Sequence, residues 1–140
     1  MTVYQNPDSF FNAIEEAVDT AFSEFVQSTQ GLLTSRAPVD TGRLASSFFI
    51  SKALPSNEVT PTPWAPKGAK KVVRPEYTGK ITYGGTWFIT NNVPYGPYVA
   101  FDPVYGKGGR AFGPDWYTAT VNQNPARFQA LLRKNLRGVT

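Results

Sequence analysis

The sequence contains no cysteine and no histidine among its 140 residues. The absence of cysteine excludes a disulfide framework, a thiolate metal site and a cysteine nucleophile. The absence of histidine removes the commonest catalytic base, and it excludes a Ser–His–Asp triad and any zinc site that needs histidine ligands. These absences narrow the chemistry open to the chain, for which we expect no catalytic residue, metal or cofactor.

The sequence also lacks long apolar runs and is poor in charge. No apolar stretch approaches the roughly 18 residues of a membrane span, and the first residues have neither the basic nor the apolar region of a signal peptide. Charged residues make up 17% of the chain, whereas aromatic residues make up 14% and hydrophobic residues 41%. This composition favours a folded chain over a disordered one. The length predicts one domain, residues 1–140, with one hydrophobic core.

The charged residues are unevenly distributed along the chain. Residues 1–35 contain five acidic residues and no lysine or arginine, whereas residues 36–140 contain all 14 basic residues and the other five acidic ones. The two parts therefore carry net charges of −5 and +9, consistent with the +4 of the whole chain. This division predicts charge pairing between segments or between subunits at least as strongly as it predicts nucleic-acid binding.

Two longer helices are predicted from apolar residues that recur at steps of three and four. The first begins at residues 6–8, with Asn6 as the N-cap, and its stripe predicts about seven turns that reach Ser35 despite Gly31. The second begins at Asn124-Pro125, with Asn124 as the expected N-cap. Its apolar stripe consists of Phe128, Leu131, Leu132 and Leu136.

The middle of the chain predicts short strands and long connections. Strands are expected at 48–51, 77–83 and 86–90, the last two joined as a hairpin at Gly84-Gly85. Residues 54–77 contain five prolines and form a long connection, which we expect to be mobile in the isolated subunit and ordered in an assembly. Residues 91–98 are expected to be irregular, and a short helix to begin at 114–116. The predicted fold is α+β, with a long N-terminal helix, a small antiparallel β-sheet with a long Pro-rich connection, and a C-terminal helix.

Few residues resemble a catalytic or ligand site. The Gly106-Lys107-Gly108-Gly109 stretch lacks both the earlier glycine and the following Ser or Thr of a phosphate-binding loop. Two of the turn carboxylates could form an acid–base pair, but turns and caps are the commoner role of such residues. These carboxylates are Asp40, Asp102 and Asp115.

A basic stretch from Lys67 to Arg74 is flanked by Trp64 and Tyr77. Charge and aromatic rings together are typical of a contact with single-stranded nucleic acid. No nucleic-acid-binding motif accompanies them, and a solvated loop or a loop that docks on an acidic partner is the more usual role. Arg43 could bind a phosphate, although a structural salt bridge within the turn is the simpler hypothesis.

Three blocks of sequence resemble the tail-completion, or head–tail joining, proteins of long-tailed bacteriophages. Residues 37–47 are similar to the family signature PVDTGxLxxS, residues 89–101 to a strand followed by NxxPYA, and residues 113–128 to a run that leads into the final helix. This chain has Gly96 and Ala100 where the family has Ala and Glu, and it has Asp115-Trp116-Tyr117-Thr118 where the family has GMVR. The motif residues are Pro38, Val39, Asp40, Thr41, Gly42, Arg43, Leu44, Asn92, Pro94, Tyr95 and Pro114.

The resemblance implies a structural virion protein without catalysis, located in the neck or tail and assembled in the host cytoplasm. Such a subunit forms a ring, with a hexamer favoured over a dodecamer, between a head-side connector or stopper and a tail-side terminator or tube. Viral DNA would pass through the ring without sequence-specific contact, and no membrane is involved. Gly42 is expected to adopt a positive φ in the turn after the first helix.

The same resemblance directs attention to the charged helices, because a ring needs two complementary faces on each subunit. We expect Glu15 and Glu16 of one subunit to face Arg133 and Arg137 of the next. Two other functions are kept as alternatives. One is a basic protein that binds single-stranded nucleic acid, and the other is a different virion part, such as a tail terminator or minor tail protein.

Overall fold

The computed structural model describes residues 3–39, 42–62, 64–66, 68–101 and 116–139. The elements are α1 (Pro7–Arg36), β1 (Phe49–Lys52), β2 (Trp87–Thr90), α2 (Gly96–Phe101), α3 (Trp116–Asn122) and α4 (Asn124–Leu136). The predicted α+β class, with its long N-terminal helix, antiparallel strands and C-terminal helix, is confirmed. Among the described residues, no helix has the length and apolarity that crossing a membrane requires.

Helix α1 begins and ends where its local sequence predicts. Asn6 is extended, and its side-chain oxygen accepts a hydrogen bond from the Ser9 N–H at 2.9 Å, which satisfies one of the free donors of the first turn. Pro7 occupies the first helical position, where its missing N–H costs nothing. At the other end, extended Ala37 donates its N–H to Leu33 at 3.0 Å, and Pro38 follows.

The two strands pair in an antiparallel sheet with Phe49 opposite Thr90 and Lys52 opposite Trp87. The predicted strand at 77–83 and its hairpin at Gly84-Gly85 are wrong. This segment lies along α1 instead, because Ile81 is buried against Val26 and the Tyr83 N–H donates to Asp19 Oδ1 at 2.9 Å. β2 therefore pairs with β1, from which the long connection 53–86 separates it in sequence. It does not pair with residues 77–83, as the predicted hairpin would require.

Two further predictions need correction at helix starts. Asn124 is not the N-cap of α4, because Gln123 holds that position in a helical conformation without a side-chain cap, and Asn124 Oδ1 accepts instead from Arg127. Residues 96–98, the end of the segment that was expected to be irregular, belong to the short helix α2. Six residues are too few to show an apolar period, and a proline in the first turn is compatible with a helix.

The core has two parts, both built on α1. The larger cluster joins the end of α1 to the following turn, to the segment after β2 and to α3, and it consists of Leu33, Ala37, Leu44, Ala45, Phe48, Val93 and Trp116. The smaller cluster is Val26, Ile50 and Ile81. Helix α4 runs back along α1 and packs Phe128 against Phe22 and Phe25, with ring centroids 6.0 and 5.2 Å apart.

Candidate functional site

The turn after α1 is shaped by a close backbone approach. Gly42 has a φ of +94°, which confirms the predicted positive angle. A Cβ atom at this position would overlap with the carbonyl oxygen of Lys71. Any side chain here would therefore have to displace the backbone at Lys71. Pro38 and Val39 before the turn are half-buried, whereas Asp40 and Thr41 lie outside the described residues.

Hydrogen bonds from this turn hold the Pro-rich connection at two points. Arg43 Nε donates to the Thr60 carbonyl at 2.9 Å, and the Thr60 N–H donates to Ser47 Oγ at 3.3 Å. The Val73 N–H donates to Ser46 Oγ at 2.8 Å. The turn therefore anchors both sides of the connection, and Arg43 has a structural role there. Whether residues 54–77 are mobile in solution stays a prediction for hydrogen exchange.

The second block of resemblance also serves the fold. Asn91 Nδ2 donates to the Leu44 carbonyl at 2.9 Å, which ties the segment after β2 to the turn after α1. Asn92 Nδ2 donates to the carbonyls of Ser56 and Glu58 at 2.7 and 3.0 Å. Val93 is buried, whereas Pro94 and Tyr95 are exposed and accessible to a partner.

The three blocks converge on one place. Leu44 from the first block, Val93 from the second and Trp116 from the third belong to the same buried cluster. Trp116 packs edge-on against Phe48 with the centroids 6.1 Å apart, and its Nε1 donates to the Val99 carbonyl at 3.3 Å. Leu44 is one of the motif residues, whereas Val93 and Trp116 stand where the family patterns are variable or differ from this chain. Pro114 lies outside the described residues.

An apolar groove of about 440 Å³ lies between α1, β2, α2 and α3. We call it the aromatic groove. Phe25, Trp87, Trp116, Tyr117 and Val121 are among the residues that line it. Sequence reasoning missed this groove, because its walls come from segments far apart in the chain. The other lining residues are Phe22, Val26, Thr29, Leu33, Leu44, Phe48, Ile89, Asn91, Gly96, Pro97, Ala100 and Asn124.

Two cations stand over aromatic residues of the groove. Lys52 Nζ lies 5.5 Å from the centroid of the Trp87 ring, and the Arg127 guanidinium carbon lies 5.2 Å from that of Phe25. Such cation–π contacts add electrostatic attraction to the packing of the side-chain stems. The groove is therefore apolar inside and positively charged around it.

Arg127 is held by neutral oxygens. Its two terminal nitrogens donate to Ser28 Oγ at 3.1 Å and to Thr29 Oγ1 at 2.9 Å, and no carboxylate of the described residues forms an ion pair with it. Burial lowers the pKa of the Arg127 guanidinium, and the positive charge of Arg36 lowers this pKa further. Arg127 thus places a positive charge at the junction of α1 and α4, and no carboxylate in the described part of the chain pairs with it.

The acidic and basic helices already meet within one chain. Lys134 Nζ lies 3.0 Å from Glu24 Oε2 in an ion pair that is largely open to solvent. The four interface candidates are Glu15 and Glu16 on α1, Arg133 on α4 and Arg137 at the C-cap of α4. All four are exposed and form no ion pair with any described residue. The intrachain contact therefore uses Glu24 and Lys134 and leaves the four candidate residues exposed.

The basic stretch forms a closed loop around Trp64. The Trp64 Nε1 donates to the Lys71 carbonyl at 2.9 Å, and Lys71 Nζ lies 4.4 Å from the centroid of the same ring. One face of the indole is thus occupied by the chain's own ammonium group. Lys67 lies outside the described residues, while Lys70 and Arg74 are exposed.

The described ranges contain no group of three or more Asp or Glu side chains that could hold a metal ion. Asp102, Asp115 and the stretch 106–109 lie outside those ranges, as does Asp40, so the structure does not bear on the acid–base pair or the phosphate loop. Comparisons with family models, with curated proteins and with solved structures find no significant match to this chain.

Proposed function

We propose that this chain is a structural subunit of a bacteriophage neck, where copies form a ring that joins the head-side connector to the tail tube. The observation that carries the proposal is the convergence of the three family-like blocks, through Leu44, Val93 and Trp116, on one buried cluster. Blocks that are far apart in sequence but pack together are expected when they define one fold.

The surface supports an assembly role independently of the motifs. Helix α1 exposes acidic residues toward its start, and α4 exposes Arg133 and Arg137. A subunit with one acidic and one basic surface can join head to tail, and a rotation that closes gives a ring. It is the family resemblance that favours a hexamer over a dodecamer. The neighbours would be a connector or stopper on one side and a terminator or tube protein on the other.

Electron microscopy tests the proposal directly. The recombinant chain should form rings in negative stain, and an antibody raised against it should label the neck of virions, between head and tail. Labelling along the tail or at its tip would favour a different virion part, such as a minor tail protein. Absence of the chain from purified virions would contradict the proposal.

A basic protein that binds single-stranded nucleic acid remains the second candidate, on the exposed Lys70, Lys71 and Arg74. The structure gives it less support, because one Trp64 ring face that could stack on a base is covered by Lys71. Binding of labelled oligonucleotides at several salt concentrations separates the two. Tight binding that falls steeply with salt would favour this candidate.

A further inference from the structure

Near the beginning of α1 one aromatic residue of the helix, Phe11, remains exposed, although its ring contacts that of Phe10 with the centroids 5.9 Å apart. Phe22 packs in the aromatic cluster, and Val26 is buried against the segment after the Pro-rich connection. Phe11 precedes Phe22 by three helical turns and so continues the same face, yet it is 63% exposed. Glu15, one turn after Phe11, is also exposed on this face. The result is an aromatic side chain that projects from an acidic helix end.

The aromatic groove has the complementary properties. Its volume of about 440 Å³ comfortably exceeds the roughly 150 Å³ of an apolar cavity that admits benzene. Lys52 and Arg127 stand over its aromatic residues, and neither forms an ion pair with a carboxylate of the described residues. An acidic helix end with an exposed phenyl ring is complementary to this surface, because the ring can enter the apolar groove and the acidic residues are opposite in charge to the nearby cations.

We infer that the α1 end around Phe11 of one subunit occupies the aromatic groove of a second copy of this chain. The inference rests on the proposed ring function, because it supplies the contact that such a ring would repeat. The phenyl ring fills the groove and excludes water. The two surfaces are different parts of the chain, so the contact is head-to-tail and can close into a ring.

Two single substitutions test this geometry. Phe11→Ala removes the projecting ring, and Val121→Glu places a charge in the groove at a residue that is 39% exposed. Each variant alone should self-associate roughly 30-fold more weakly, the loss expected for an aromatic anchor at an interface. An equimolar mixture should form one-to-one dimers, because each variant retains the surface that the other lacks. Native mass spectrometry of the full chain counts these species.

Controls separate assembly from folding. Both variants should keep the wild-type thermal unfolding midpoint by circular dichroism. Leu54→Ala removes a more exposed apolar side chain, at 75% exposure, and should leave self-association unchanged. As a positional readout, a photoreactive benzoylphenylalanine at position 11 should cross-link to Val121, Tyr117 or Trp87 of another copy, whereas the same probe at position 54 should not.

The outcomes distinguish this inference from the ring itself. If wild-type rings form but Phe11→Ala assembles normally, or the probe cross-links elsewhere, the groove contact is wrong and the neck proposal stands. If the mixture restores full rings instead of dimers, the contact is not head-to-tail and the inference is also overturned. A wild-type chain that stays monomeric and gives no cross-link between copies contradicts the inference, and virion labelling then decides the neck proposal separately.

Discussion

Gly42 and Lys71 lie so close together that no side chain fits between them. A Cβ atom on Gly42 would overlap with the Lys71 carbonyl oxygen and would lie 3.1 Å from the Lys71 nitrogen. The contact brings the end of the Pro-rich connection against the turn after α1, where the Val73 N–H bonds to Ser46. One glycine therefore permits both the turn and the docking of a segment almost 30 residues later in the chain.

The substitution Gly42→Ala should destabilise the protein by at least about 3 kcal/mol, since the positive φ costs about 1–3 kcal/mol and the backbone overlap adds to it. Gly84→Ala is the matched control, because Gly84 has a φ of +112° but open space around its Cβ position. That control should lose only the cost of the backbone angle. Urea unfolding of both variants gives the free energies, and equal losses would show that the Lys71 contact has no energetic role.

The buried amide of Gln30 should be a major determinant of stability. Its Nε2 donates to the Phe48 carbonyl at 2.8 Å and to the Pro75 carbonyl at 2.7 Å, and the residue is 2% exposed. Gln30→Met keeps a similar size but leaves two carbonyls without a donor, so we expect a loss of roughly 2–4 kcal/mol. Gln27→Met on the same helix is exposed and should change the unfolding free energy by less than about 0.5 kcal/mol. A similar small change at Gln30 would contradict the proposed bridge.

Gly31 offers a stabilising change. It lies inside α1, and a Cβ atom there would meet only Arg74 Nη1, at 3.4 Å, the mobile end of an exposed side chain. Gly31→Ala should therefore raise the unfolding free energy by about 0.5–1 kcal/mol, because alanine loses less backbone entropy in a helix. A lower thermal midpoint would mean that the position of Arg74 matters, and the double variant Gly31→Ala/Arg74→Ala would then recover the expected gain.

Local signals in the sequence were enough for the elements whose determinants are local. The Asn6-Pro7 start, the length of α1 and the positive φ of Gly42 all follow from one segment at a time. The strand predicted at 77–83 failed because alternating apolar residues indicate an extended chain but do not say what it pairs with. In the structure this chain lies against α1 through Ile81 and Tyr83.

The candidate surfaces could be predicted only in part, for a related reason. Exposure of Glu15, Glu16, Arg133 and Arg137 follows from helical periodicity alone. The partners of Gln30 lie 18 and 45 residues away, and the aromatic groove combines α1, β2, α2 and α3. No sequence pattern specifies such long-range combinations. The Glu24–Lys134 pair likewise depends on how α4 lies against α1.

The last prediction concerns the steering of assembly by charge. Arg133 and Arg137 are exposed one turn apart on α4 and form no ion pair with a described residue. Arg133→Glu/Arg137→Glu should slow ring formation in light scattering, because an acidic α1 end would approach an acidic neighbour. Adding Glu15→Lys/Glu16→Lys to the same chain should restore the rate. Each exposed pair contributes only about 0–1 kcal/mol, but the contact repeats at every interface of a ring, and the defect should shrink as salt is added.

Lys134→Glu is the control for this experiment, since Lys134 is the α4 cation whose ion pair with Glu24 lies within the chain. Its reversal changes the net charge by the same amount as Arg133→Glu alone. It also removes an exposed intrachain pair, so it should lower the unfolding free energy by no more than about 1 kcal/mol. If assembly depends on where the charges lie, Lys134→Glu slows it less than Arg133→Glu alone does, and Glu15→Lys/Glu16→Lys does not rescue it. Equal slowing by Lys134→Glu and Arg133→Glu, without specific rescue, would mean that net charge alone governs association and that Arg133 and Arg137 do not face the acidic end of a neighbour.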